Sequence, residues 1–239
     1  EAEAERLAAA LGYPVLMKAA AGGGGRGMYV AQDGRQVRAA FGRVAHEAES
    51  AFGDGALYLE RWVPRARHVE VQVLADRHGS VLHLGERDCS AQRRYQKVLE
   101  EAPAPSLPAP VREGLHEAAL RLARHLGYEN AGTVEFLYDV ERECFYFMEL
   151  NARLQVEHPV TEMTTGVDLV EAQLRVAAGE ALGLRQEEIA SRGHAIECRV
   201  NAEAARRGFV PQPGRITAWE PPEGEGIRVD THCREGYLV

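Results

Sequence analysis

Apolar positions recur every three to four residues over EAEAERLAAAL at 1–11, then crowd together in YPVLMKA at 13–19. The first spacing predicts an amphipathic helix and the second a buried strand. MYVA at 28–31 predicts another short strand, and RQVRAAFGRVAHEAESAFG at 35–53 returns to the helical period. ALYLERWV, RHVEVQVLAD and SVLHLGERD read as strands; HVEVQVL alternates strictly, and DRHGS turns the chain between the last two. EEAPAPSLPAP carries four prolines and predicts an extended loop. VREGLHEAALRLARHLG predicts an amphipathic helix closed by Gly127. GTVEFLYD and CFYFMELN predict a hairpin around VERE. VDLVEAQLRVAAGEAL predicts a further helix, HAIECRVNAE an alternating strand, and RITAWE a last apolar segment. Helices mixed with a largely antiparallel set of strands place the chain in the α+β class. A boundary is expected in the turn-rich stretch 181–193.

Composition narrows the function. A 239-residue chain with 45% hydrophobic and 27% charged residues has the means to bury a substantial core. Its formal net charge of −8 argues against nucleic-acid binding through overall charge. No apolar run approaches the roughly 20 residues of a membrane span. Cysteines stand apart at 89, 144, 198 and 233 with no CxxC pair, which suits a reducing, cytoplasmic setting. The chain opens without methionine and ends at EGYLV, and reads as a piece of something longer.

Between two predicted strands lies AGGGGRG. Gly22, Gly24 and Gly27 match G-x-G-x-x-G, yet a strand follows where the dinucleotide fingerprint needs a helix. No Lys-Ser or Lys-Thr follows either, so the loop is not a P-loop. A glycine flap between strands suits phosphate, because backbone N–H groups meet oxygens with no side chain in the way. Lys18, on the preceding strand, would add a point charge. The alternative is a flexible hairpin whose Lys18 extends into water.

In MELNARLQVEH, Glu149 and Asn151 share a strand face, and Arg153 and Gln155 extend that row if the chain stays extended. Hairpin pairing brings Glu135 beside Glu149. Clustered carboxylate and amide oxygens are hard ligands suited to Mg²⁺. Val134, Phe136, Met148 and Leu150 form the opposite, core-facing row; a solvated outer face is the competing reading. RDCSAQRRYQK places four cations within residues 87–97, either an oxyanion cradle or a charged strand edge. His68, His158 and His194 border apolar segments and read as hydrogen-bonded structural groups. Cys89 lies near Arg87, Arg93 and Arg94 but has no base at triad-like spacing.

KAAAGGGGRGM, RHVEVQVLAD, ERDCSAQRRYQK, EEAPAP, MELNARLQVEHPVTEMTTGVDLV and GHAIECRVNAE together resemble the biotin carboxylase component of biotin-dependent carboxylases, in that family's order and over nearly the whole chain. The resemblance implies an ATP-grasp fold: a glycine-rich lid subdomain over 1–61, a larger antiparallel-sheet catalytic subdomain over 62–183, and the start of a C-terminal subdomain over 184–239. It implies ATP and bicarbonate as substrates, carboxyphosphate as intermediate, and carrier-bound biotin as acceptor.

By that resemblance Lys18, Gly22, Gly23, Gly24, Gly25 and Gly27 hold ATP phosphates. Glu60 and the backbone at Val63 meet adenine, and His68 and Gln92 lie by the nucleotide. Lys97 stands near the reaction centre. Glu135, Glu149 and Asn151 are metal ligands for Mg²⁺ or Mn²⁺. Arg153, Gln155 and Val156 cradle bicarbonate, Glu157 is the base that deprotonates it, and Arg199 stabilises the biotin enolate. Implied partners are a biotin carboxyl carrier protein or domain and a carboxyltransferase, with a homo-oligomer when full-length and no nucleic acid or membrane. Tyr95 departs from the family's usual histidine. The family's N-terminal domain and C-terminal end fall outside the match, so little turnover is expected of this stretch alone. HPVTEMTTG is somewhat closer to acyl-CoA than to pyruvate carboxylases. Two alternatives stay open: another ATP-grasp ligase such as a carbamoyl-phosphate synthetase half, and a non-catalytic nucleotide-binding module.

Overall fold

The computed structural model describes residues 1–21 and 27–239. The chain forms two compact units, Glu1–Cys198 and Arg199–Val239. The first unit opens with α1 (Ala2–Leu11), β1 (Val15–Ala19), β2 (Met28–Ala31), α2 (Gly34–Phe52) and β3 (Leu57–Arg61). The three strands form an antiparallel sheet in the order β2-β1-β3. The helical spacing of Val37, Ala40 and Val44, with Ala8 of α1, packs them on Val15, Met17 and Ala31. The Asp33 carboxylate caps α2, accepting from the Gln36 N–H at 2.9 Å. The chain leaves β1 and returns as β2 antiparallel to it, so the glycine-rich segment joins two strands. Gly27, at φ 64°, receives at its carbonyl the Ala19 N–H at 3.0 Å.

The same unit holds a six-stranded antiparallel sheet of β4 (Ala66–Ala75), β5 (Val81–Arg93), β6 (Gln96–Ala102), β7 (Asn130–Asp139), β8 (Cys144–Asn151) and β9 (Ala195–Cys198), in the order β8-β7-β4-β5-β6-β9. The alternation of HVEVQVL gives this sheet two unlike faces. Val69, Val71 and Val73 join Val134, Phe136 and Tyr138 under Leu115 and Ala119 of α3 (Ala109–Leu126). The other face carries His68, Glu70 and Gln72, then Leu74. Leu74, Leu82 and Leu84 pack on Leu169 and Val176 of α5 (Leu169–Ala177). Val160 of α4 (His158–Thr165) packs on Ala102 and Ala195.

The structure departs from the sequence reading at several places. β6 was not foreseen: Glu100–Ala102 of the supposed loop finish that strand, and Ala109 and Pro110 open α3, where proline lacks no needed N–H. β5 runs on to Arg93, and Arg94 and Tyr95 turn the hairpin with φ of 51° and 65°, the left-handed pair of a tight two-residue turn. α5 ends at Ala177, and HAIECRVNAE is not one strand: Ala195–Cys198 form one, and the chain leaves it until Glu203 opens another. RITAWE forms no strand; Arg215 makes an isolated bridge to Leu238.

The row drawn from Glu149 through Gln155 also breaks, because β8 stops at Asn151 and α4 starts at His158. Met148, expected in the core, is exposed on the edge strand β8, as are its neighbours Tyr146 and Phe147. Between Glu135 and Phe136 the register slips by one, so Phe147, not Met148, stands opposite Phe136.

The second unit contains β10 (Glu203–Ala204) paired with β11 (Val210–Pro211). Among the described residues no helix is long and apolar enough to cross a membrane.

Candidate active site

Four side chains form a lateral row across four strands. Arg87 of β5 stands opposite Glu70 of β4, Glu70 opposite Glu135 of β7, and Glu135 opposite Glu149 of β8. Like charges directly opposite one another repel, so this row needs cations. Lys97, near the β5–β6 turn, supplies one. Its ammonium donates to Glu70 Oε2 at 2.5 Å, Glu135 Oε1 at 2.8 Å and Glu157 Oε1 at 2.6 Å. All three of its N–H donors are thereby used.

Arg87 supplies the other. Its Nε donates to Glu70 Oε1 at 2.7 Å, Nη1 to Gln72 and Thr161, and Nη2 to Thr133 and Gln155. The side chain is fully buried, so Arg87 belongs to no exposed oxyanion cradle, contrary to one sequence reading. Burial disfavours the Lys97 ammonium, but Glu70, Glu135 and Glu157 outweigh it and raise its pKa far above the ordinary value. Burial pushes Glu135 up, yet Lys97 and the His68 ring beside it hold it well below the usual carboxylate range. Glu157 follows the same balance: burial raises it, and Lys97 and Arg87 bring it down further.

Glu157 stands at the N-cap of α4, where its side chain makes no capping bond and is turned to Lys97 instead. Gln155 is buried and links the two cation systems, donating from Nε2 to Glu135 Oε1 at 2.9 Å while accepting from Arg87. Gln92 Nε2 donates to the Cys89 carbonyl at 2.8 Å and to His68 Nδ1 at 3.0 Å. A carbonyl only accepts, which sets the amide orientation. His68 Nδ1 is then an acceptor, and its proton sits on Nε2, 3.1 Å from Glu135 Oε2. The Cys89 thiol is buried, and burial followed by Glu70 pushes its pKa well up, which disfavours the thiolate a nucleophile needs. His158 donates from Nδ1 to the Gln155 carbonyl at 2.9 Å, and His194 Nε2 lies 2.9 Å from Glu101, both as structural groups.

The outer part of the row is more open. Glu149 is exposed and accepts at Oε1 from Asn151 Nδ2 at 3.3 Å. Asn151 Oδ1 accepts from Arg153 at 3.4 Å, and Val156 is exposed. On the small sheet, Lys18 lies 3.8 Å from Glu60 and over the Tyr58 ring at 5.5 Å. Burial lowers the Lys18 ammonium, but a Tyr58 hydrogen bond and the charges of Glu60 and Glu149 raise it on balance. Val63 is buried just past β3. Gly22, Gly23, Gly24 and Gly25 lie outside the described residues; Gly27 closes the hairpin. Arg199 is the first residue of the second unit.

Sequence reasoning missed Glu70, Gln72, Thr133 and Thr161, and misplaced Arg87. The signal was the alternation itself, which set His68, Glu70 and Gln72 in one row. Periodicity shows that a row is polar, and only packing shows that it is buried.

Two family models match in succession: the carbamoyl-phosphate synthase L chain ATP-binding domain over residues 1–185 and the biotin carboxylase C-terminal domain over 197–239. Biotin carboxylase 2, chloroplastic, of Populus trichocarpa is 54% identical over 99% of this chain and 45% of its own length. A crystal structure titled as a biotin carboxylase ATP complex from Campylobacter jejuni superposes with TM-score 0.93 at 50% identity, over 98% of this chain and 52% of that one. The biotin carboxylase domain of Hydrogenobacter thermophilus 2-oxoglutarate carboxylase, titled as a complex with MgADP, ADP and bicarbonate, superposes with TM-score 0.94 at 48% identity, covering 100% and 52%. The chain spans about half the length of the curated relatives it matches. Agreement over its full extent, in sequence and in fold, leaves one conclusion: the chain belongs to the biotin carboxylase family and has that family's ATP-grasp fold.

Proposed function

We propose that the protein carrying this chain couples ATP cleavage to bicarbonate and carboxylates carrier-bound biotin. The observation that carries the reading is Glu157: a buried carboxylate at a helix N-terminus, paired with Lys97 beside Glu70 and Glu135. A pure nucleotide binder has no need of such a base. The relatives titled as complexes with ATP, and with MgADP and bicarbonate, support the same choice of substrates.

In this reading residues 1–61 act as the lid, 62–183 as the catalytic subdomain and 184–239 as the start of the C-terminal part. Lys18 and the glycine hairpin receive the phosphates, Glu60 and Val63 border the adenine, and His68 and Gln92 flank the nucleotide. Glu135, Glu149 and Asn151 suit Mg²⁺ or Mn²⁺: their oxygens are hard donors, and the two glutamates are cross-strand partners. The buried set also holds Glu70, Glu135 and Glu157 against Lys97 and Arg87, leaving one negative charge in excess. A bound divalent ion would offset phosphate charge there.

Arg153, Gln155 and Val156 position bicarbonate so that its O–H reaches Glu157. Glu157 takes that proton, and the freed oxygen attacks the γ-phosphorus as the bond to ADP breaks, giving carboxyphosphate. Lys97 keeps Glu157 ionised for this transfer. Carboxyphosphate breaks into CO₂ and inorganic phosphate, the phosphate takes the N1′ proton of biotin, and the ureido anion so formed, stabilised as its enolate by Arg199, bonds to CO₂ through N1′. The lid excludes water that would hydrolyse the intermediate. A carrier protein or domain, a carboxyltransferase and a second copy of the protein are the proposed partners. The final acceptor is left open by a relative named for 2-oxoglutarate.

The test is bicarbonate- and biotin-dependent ADP release by the complete protein, with carboxybiotin as product. Ammonia-dependent carbamoyl phosphate formation would establish the carbamoyl-phosphate synthetase reading instead. ATP binding with no bicarbonate effect would establish a binding module.

A further inference from the structure

The geometry points to Arg87 as the positioning residue that fixes the α4 arm, and with it Glu157, against the sheet. This rests on the reading of Glu157 as the base. Arg87 makes two groups of bonds. Toward the sheet it donates to Glu70 Oε1 at 2.7 Å, Gln72 Oε1 at 2.7 Å and Thr133 Oγ1 at 3.2 Å, which belong to β4 and β7. Toward the arm it donates to Thr161 Oγ1 at 2.9 Å and Gln155 Oε1 at 3.4 Å. Gln155 lies two residues before Glu157 and Thr161 four after it, one helical turn on. Arg87 therefore holds the chain on both sides of Glu157.

Every guanidinium N–H has an acceptor, and the residue is wholly excluded from water. Occupying Glu70 Oε1 also leaves Oε2 to Lys97, which in turn holds Glu157. Lysine cannot replace this fork. It keeps the charge but presents at most three donors from one point, which cannot span β4, β7 and α4 at once. A shift of about 1 Å in Glu157 relative to bound bicarbonate is enough to slow proton transfer by about 10²-fold.

The experiment uses the complete protein and compares bicarbonate-dependent with bicarbonate-independent ATP cleavage. Arg87→Lys is expected to lower the bicarbonate-dependent kcat by about 10²-fold. The slow bicarbonate-independent rate and the KM for ATP should stay within about twofold, because no nucleotide contact is assigned to Arg87. A purely structural role would depress both rates together. Thr161→Val removes one arm-side acceptor at nearly constant shape and is expected to lower the stimulated rate by about three- to tenfold. It decides the matter if Arg87→Lys does not fold. Stimulated turnover kept by either folded variant, or loss of both rates in parallel, overturns the role of Arg87. Glu157→Gln is measured alongside: if it keeps bicarbonate stimulation, the base assignment falls, and that outcome is distinct from a failure at Arg87.

Discussion

Lys97 and Glu157 meet at 2.6 Å although sixty positions separate them in the chain. The first comes from a strand beside a tight turn, the second from the start of a short helix, and neither segment announces the other. Their contact ties α4 to the sheet face that carries Glu70 and Glu135. It also makes Lys97 the counter-charge on which three buried carboxylates depend.

Lys97→Met should therefore destabilise the protein by about 3–5 kcal/mol at pH 7, the usual cost of stranding buried charge. The loss should shrink at pH 5. In the native protein Glu135 and Glu157 have lowered pKa values, so their stabilisation is present above the unfolded carboxylate pKa and lost as pH falls through the folded one. Without Lys97, burial raises both, and protonation on acidification then favours the folded state. Denaturant titrations at the two pH values check this; an equal deficit at both would contradict it.

Glu135→Gln and Glu149→Gln should separate stability from cation binding. Glu135 is buried and bonded to Lys97 and Gln155, so its change should lower the unfolding midpoint clearly. Glu149 is exposed, and its change should alter stability by no more than about 0.5 kcal/mol. Both should raise the Mg²⁺ concentration needed for tight nucleotide binding. An unchanged Mg²⁺ titration for Glu149→Gln would remove that residue from the ligand set.

A second titratable cluster lies on the α3 side of β5. His83 stacks on His116 with ring centres 4.0 Å apart, and Glu86 accepts from His116 at 2.6 Å and from Arg112 at 2.8 Å. Burial, then the charge of His116, push the His83 pKa down to about 4, against a smaller opposing pull from Glu86. The unfolded chain binds this proton more readily, so stability falls as pH drops from about 6.5 toward 4. In His83→Gln the melting temperature should decline less between pH 7 and pH 5 than in the native protein. Identical slopes would refute the assignment.

Gly27→Ala should destabilise the hairpin by about 1–2 kcal/mol, because the left-handed backbone disfavours a Cβ. Gly27 sits at φ 64°, and an added Cβ would come within 3.0 Å of the Ala19 Cβ. Thermal unfolding reads the loss directly, and an unchanged midpoint would mean the hairpin relaxes freely.

Much of the architecture was legible in the residues alone. Helical spacing located α1, α2 and α3, strict alternation located β4, and VERE marked the β7–β8 hairpin that pairs Glu135 with Glu149. The absence of a helical pattern after Gly27 separated this glycine segment from a dinucleotide fingerprint. These features depend on neighbours in sequence, where backbone geometry dictates the period.

Other features exist only between distant segments. Nothing in QKVLEEA reveals a strand until β5 and β9 lie on either side of it. Met148 was expected inside and is outside, because β8 lies at the edge of the sheet, where Tyr146 and Phe147 are exposed beside it. Above all, His68, Glu70 and Gln72 are evidently a polar row in sequence, but only the arrival of Arg87, Lys97 and the α4 arm makes that row a buried charged site. Local periodicity specifies which side chains point the same way; long-range packing alone specifies what they point at.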